Sequence, residues 1–302
     1  MISLKTGERK TVERGGYSPR YLVTSNGTGH LIYLHQSTLF AVPFAPGHLA
    51  ATVSPVPVLD NVSGDNVYGG NYSFAEASSG LGTFVYLSGN GQGTWSISWV
   101  DSSGNRQPLH TPPGRYFTPR FSPDGKRLAF SIASGPGEDI WVKDLNRDAP
   151  SRLSFLPGTN RWPVWAPDGR KIVFQSSNPA APGMYSLSSD GSGEPQRLTD
   201  KLEQYPYSFS PDGKRLAFYD PGSGRTPAIF IAPVEVDPGH GASAIRLGAA
   251  EPFQRTAFTE VLPAFSPDGH WLAYRSNESG VFEVYVRPFP GPGGKWQVST
   301  SK

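Results

Sequence analysis

Apolar residues along the chain come in short clusters of three or four, separated by polar turns. Leu128-Ala-Phe130, Ile172-Val-Phe174, Leu216-Ala-Phe218 and Leu272-Ala-Tyr274 are such clusters. They are apolar at adjacent positions rather than strictly alternating, which suits strands covered on both faces. No stretch carries a convincing amphipathic helical period.

Each cluster follows a turn of one type. Phe121-Ser-Pro-Asp-Gly125, Phe209-Ser-Pro-Asp-Gly213 and Phe265-Ser-Pro-Asp-Gly269 are three copies, and Trp165-Ala-Pro-Asp-Gly169 is a fourth. Pro presets φ at the first central position, Asp caps the turn with its side chain, and Gly supplies φ > 0. The last glycines of the copies stand at 125, 169, 213 and 269, so two equal steps precede a longer one. Thr28-Gly-His-Leu-Ile-Tyr33 and Leu81-Gly-Thr-Phe-Val-Tyr86 are degenerate copies that keep the Gly and the apolar run.

A second marker recurs six times: an apolar strand with a central aromatic, at Phe40, Trp99, Trp141, Tyr185, Phe230 and Tyr285. A further strand closes most copies, as at Pro55–Leu59, Ser151–Ser154, Gln196–Thr199, Ile245–Leu247 and Trp296–Ser299. Four strands in about 40–45 residues make one propeller blade. The sequence therefore predicts an all-β β-propeller filling 1–302 as a single domain. Its six four-stranded blades are expected at about 17–62, 70–110, 116–155, 161–200, 205–248 and 260–302. Residues 1–16 read as an N-terminal half-blade, and the alternative is an incomplete seven-bladed ring. Prolines 19, 119, 163, 206 and 263 are expected just before the first strands, where Pro costs no ladder hydrogen bond.

Composition agrees. Gly 35 and Pro 30 supply the turns, and 12% aromatics supply the strands. The net charge is only +2, with cations spread one or two per turn, so no basic stripe marks a nucleic-acid binder. There is no cysteine, which excludes disulfides and thiolate chemistry. No run approaches the ~20 apolar residues of a membrane span. The polar N-terminus shows no apolar core of a signal peptide, so none is expected.

The aromatic-Ser-Pro-Asp-Gly hairpin resembles the TolB-like, WD40-like propeller repeat over residues 17–302. Thr38–Phe44, Ile140–Leu145 and Ser276–Phe289 look like the C-terminal propeller of bacterial, especially acidobacterial, serine/threonine protein kinases. That resemblance implies a sensor propeller severed from its kinase. It would be extracytoplasmic if membrane-anchored and cytoplasmic otherwise. Such chains usually run on into another hairpin past Ser299, so this one reads as a fragment or a truncated relative.

Catalytic motifs are missing: no kinase loops, no Gly-x-Ser-x-Gly elbow, no phosphate loop at Gly293-Gly-Lys295. The six histidines show no ligand spacing, so no metal or cofactor is expected. The turn residues Asp124, Asp168, Asp212 and Asp268 are expected far apart around the ring, capping turns rather than binding calcium.

A propeller offers a ligand the channel lined by its innermost strands. The loops leading into those strands hold Tyr17, Arg20, Tyr116, Arg120, Arg161, Trp162, Gln204, Tyr205 and Glu260. Arginine and large aromatics anchor interfaces and bind carboxylates or sugars. The bland alternative has the aromatics covering blade seams and the arginines solvating the rim. The expectation is a non-catalytic module that binds a protein, peptide or envelope polymer at the channel mouth. A lyase- or glycosidase-like propeller enzyme stays open as an alternative, because residues distant in sequence can meet in a ring.

Overall fold

The structure, a computed structural model, describes residues 16–23, 28–35, 37–45, 50–51, 54–65, 69–75, 83–88, 96–101, 105–109, 114–134, 137–147, 149–222, 227–237, 244–254, 256–291 and 293–299. The half-blade expected at 1–16 lies outside these residues, apart from Gly16. Among the described residues there is no helix, and the strands form six antiparallel blades and a separate two-stranded ribbon, Gly64–Asp65 with Gly69–Gly70.

In each blade the first three strands form a meander, and in blades 1 and 5 the third strand pairs with two closing segments. The innermost strands are Tyr17–Val23, Tyr72–Ala75, Arg115–Phe121, Asn160–Trp165, Tyr205–Phe209 and Glu260–Phe265. The second strands carry the apolar clusters and are deeply buried: Leu128, Ile172, Phe174, Leu216 and Leu272 are inaccessible to solvent. In blade 5 the third strand runs Ala228–Asp237 and pairs twice. Ala244–Leu247 pairs with its far half, and Glu251–Pro252 takes the place beside Phe230 that the closing strands of other blades occupy. This second closing segment accounts for the long step between Gly213 and Gly269.

The hairpin chemistry holds in detail. Ser122 Oγ donates to Asp124 Oδ1 and accepts the Arg127 N–H, while Asp124 Oδ1 accepts the Lys126 N–H. Ser210–Arg215 and Ser266–Trp271 repeat the pattern. The serine hydroxyl, helped by the backbone N–H two residues on, holds the carboxyls of Asp124, Asp212 and Asp268 below their ordinary range. The four turns are not far apart as expected. Neighbouring turns touch, because a Cβ added to Gly169, Gly213 or Gly269 would meet Pro123, Pro167 or Pro211 of the preceding blade at 3.4–3.7 Å.

The innermost-strand prolines also lie elsewhere than expected. Pro19, Pro119, Pro163 and Pro263 sit inside the strand, each at a β-bulge, and blade 5 has a bulge at Pro206. An innermost strand is an edge, so proline's missing N–H costs no ladder bond even within it. In four blades the preceding residue has positive φ: Ser18 at 54°, Thr118 at 48°, Trp162 at 55° and Leu262 at 58°. Left-handed backbone at Trp or Leu is a strained outlier, and bulges of this kind re-aim side chains.

Five hydrophobic clusters pack blade 1 on 2, 2 on 3, 3 on 4, 4 on 5 and 5 on 6. Among the described residues no such cluster joins blade 6 to blade 1. A cavity of about 320 Å³ has residues of both on its wall.

Candidate functional site: the channel and its mouth

Every innermost strand runs from one mouth of the channel to the other, and the bulge sets which residue follows it. Register assigns equivalent positions: Arg20 pairs with Ile32, Ser73 with Val85, Arg120 with Ala129, Val164 with Val173, Ser208 with Ala217 and Ala264 with Ala273. Of these six, all but Val164 line the cavity, which also takes in Ser18, Tyr207 and Arg275. Among the described residues the lining contains no Asp, Glu or His.

Arg20 and Arg120 therefore occupy one structural position in blades 1 and 3. Burial, and next the charge of Arg20, lower the Arg120 pKa to about 10. Its Nη1 donates to the Pro119 carbonyl at 3.0 Å. Among the described residues neither guanidinium has an ion-pair partner. Both were expected in loops at the mouth; they stand within the strands, beyond the bulge.

The other predicted residues separate into groups. At the blade 4–5 boundary Trp162 packs edge-on against Tyr205, with centroids 4.5 Å apart, and Tyr205 stacks on Tyr219 at 5.9 Å. Arg161 lies 5.9 Å from the Trp162 ring and donates to Glu138, a buried carboxyl that desolvation raises above its usual range. Tyr116 is 1% exposed, edge-on to Phe130 in the blade 2–3 core, and has no surface to offer a ligand. The backbone of Tyr17 pairs with Leu34; its side chain lies outside the described residues. Glu260 is also buried, accepting from Gln254 Nε2 and from Thr256 Oγ1 at 3.0 Å, and desolvation raises its pKa to about 7. Gln204 is buried too, and donates to Asp220 at 3.0 Å.

Sequence reasoning passed over Ser73, Ser208 and Arg275. A signal existed for Ser208. The cavity position is the residue just before the aromatic that precedes the hairpin: Arg120 before Phe121, Ser208 before Phe209, Ala264 before Phe265. It also passed over Phe155, Leu202 and Phe258, which are 71%, 46% and 41% exposed. They occupy the three successive loops joining blades 3 to 4, 4 to 5 and 5 to 6. Those loops all feed innermost strands, so the strand alternation puts them at the mouth that holds Trp162 and Tyr205.

A second cavity, about 670 Å³, lies between blades 4 and 5 at the opposite end. Asp168, Asp212, Lys171 and Lys214 line it together, so its charges compensate one another.

Comparison with known proteins places this geometry in a family. The TolB beta propeller domain family matches residues 89–239, half of the chain. The chain belongs to that family. Among curated relatives, the Tol-Pal system protein TolB of Francisella tularensis subsp. mediasiatica is 29% identical over 167 residues, 54% of this chain and 35% of that one. An uncharacterized Bacillus subtilis peptidase, YuxL, is 26% identical over 161 residues, 53% of this chain and 21% of that one. The chain thus spans about a fifth to a third of the length of these two relatives. Among solved structures, an oligogalacturonate lyase in complex with manganese superposes with a TM-score of 0.59 at 14% identity, covering 92% of this chain and 78% of that one. At that identity the likeness concerns the fold. Among the described residues no three His, Cys, Asp or Glu side chains gather as a metal site would need.

Proposed function

We propose that this propeller is a non-catalytic binding module that docks a polypeptide segment on the mouth bearing Phe155, Leu202 and Phe258. The carrying observation is that three large apolar side chains stand exposed in three successive blade-joining loops on one face. Scattered exposed apolars need no explanation, but their recurrence in three successive loops of one face has the composition of an interface core. The Trp162–Tyr205 pair and Arg161 at the same mouth supply the residue types that dominate binding energy. The name of one relative, a Tol-Pal system protein, fits an assembly role, while the peptidase and lyase names belong to proteins of which only the fold or a fraction is shared. The sensor role implied by the kinase-propeller resemblance would use the same mouth.

A random-peptide display library panned on the intact chain tests this. Enriched peptides are expected to lose at least tenfold in affinity on a Phe155→Ser/Leu202→Ser/Phe258→Ser variant. They should be indifferent to Val56→Ser/Val58→Ser, which alters exposed residues on the outer strand of blade 1. Equal losses on both variants, or no enrichment, would overturn the proposal.

A further inference from the structure

Among the described residues five blade seams are filled with hydrocarbon, and the cavity in the channel, walled by blades 1, 2, 3, 5 and 6, carries arginines. Two of its guanidiniums, Arg20 and Arg120, project from equivalent positions of blades 1 and 3, with Ser73 of blade 2 between them. Arg275 also lines the cavity, but its guanidinium lies 4.9 Å from the Phe282 ring and is engaged there. Burying like charges together is unfavourable unless something compensates them. The Arg120 guanidinium records that cost in its lowered affinity for its own proton. Among the described residues no carboxylate stands on the cavity wall. It supplies hydroxyls instead. Ser73 Oγ accepts the Phe121 N–H at 3.4 Å, which leaves its proton for a further acceptor. Ser18 Oγ accepts the Gly70 N–H in the same way.

We propose that this cavity is an oxyanion receptor that takes a carboxylate of the docked polypeptide between Arg20 and Arg120, with Ser73 as an additional donor. This deepens the docking reading above, and it rests on that reading for the polypeptide but not for the anion. Guanidinium groups bind carboxylates by paired N–H donors, and they do so most strongly where water is scarce. Strained Ser18–Pro19 and Thr118–Pro119 bulges immediately precede the two arginines and set the direction in which both side chains leave the strand, and the Pro119 carbonyl holds Arg120 Nη1. A volume near 320 Å³ admits a carboxylate with a short chain stub, at the small end of ligand cavities.

The test uses the intact chain with succinate, its neutral diamide succinamide, and inorganic phosphate as probes. Succinate is expected to bind saturably by calorimetry and to raise the melting temperature, while succinamide does neither. Arg120→Gln and Arg20→Gln should each lose at least tenfold in succinate affinity, and Arg20→Lys should keep part of it. Without succinate, Arg120→Gln should melt no lower than the parent, since it removes a half-buried charge that lies near the like charge of Arg20. Equal effects of succinate and succinamide would overturn the proposal. So would undiminished affinity in both glutamine variants, or binding of phosphate without succinate. Failure of peptide panning with success of succinate binding would sink the docking reading and keep the anion site. The converse result would do the reverse.

Discussion

The indole Nε1 of Trp165, in blade 4, donates to the carbonyl of Arg120, in blade 3, across 2.9 Å. The Arg127 guanidinium lies 4.8 Å from the same ring. One aromatic side chain thus ties the backbone of a cavity arginine to the neighbouring blade. Trp165→Phe keeps a ring and removes the donor. It is expected to cost about 1 kcal/mol in a urea titration, with unchanged slope, because a net hydrogen bond contributes about that much. The same variant should weaken succinate binding modestly, since Arg120 loses an anchor.

Glu260 makes stability fall as pH rises. Its folded pKa, near 7, stands above the ordinary carboxyl value of about 4.3, because burial disfavours the charge. Between those two values the folded chain holds a proton that the unfolded chain has released. Linkage then makes stability decline across about pH 4.3 to 7, by at most about 1.4 kcal/mol per unit. Glu260→Gln should abolish that slope and gain on the parent at pH 8 relative to pH 5, read as the difference between denaturant midpoints. A parallel pair of pH profiles would contradict the assignment.

The serine of the hairpin should show the opposite dependence. Ser210→Ala removes the donor to Asp212 and the acceptor of the Arg215 N–H. A cost of about 1 kcal/mol is expected at pH 7. The folded pKa of Asp212 is depressed, so the part that depends on its charge is present above the unfolded carboxyl pKa and disappears as pH falls through the folded one. The penalty should therefore shrink in melts below about pH 4. Blade 4 already carries Ala166 in the equivalent place, and its Asp168 keeps the Arg170 N–H at 2.9 Å.

Gly183 opens the third strand of blade 4 at φ 149°, and a Cβ there would lie 2.1 Å from the Thr199 carbonyl oxygen. Backbone cannot yield as a side-chain end can. Gly183→Ala is expected to cost more than about 3 kcal/mol or to prevent folding. Gly193, also at positive φ but with open space around it, is the control: Gly193→Ala should cost only about 1 kcal/mol. Similar losses at both positions in thermal melts would show that contact at Thr199 is not the cause.

The blade count and the hairpin were legible in the chain because both depend on local chemistry. Ser-Pro-Asp-Gly builds its turn from neighbouring atoms, and the apolar triplet after it reports a strand buried on both faces whatever lies beyond. The arginines at 20 and 120 were legible as candidates by residue type. Their place was not, because it depends on a bulge that the sequence does not announce: proline was expected to precede the strand and instead bends it. Tyr116 and Glu260 were chosen on the same grounds as Arg120 and went into the interior, since which face of an innermost strand meets a neighbour is settled by register. Tertiary structure alone decided that, among the described residues, five seams close on hydrocarbon while the innermost strands of blades 1, 2, 3, 5 and 6 share a cavity that holds Arg20 and Arg120. That outcome sums contacts between residues some 250 positions apart, and no local pattern of polar and apolar positions contains it.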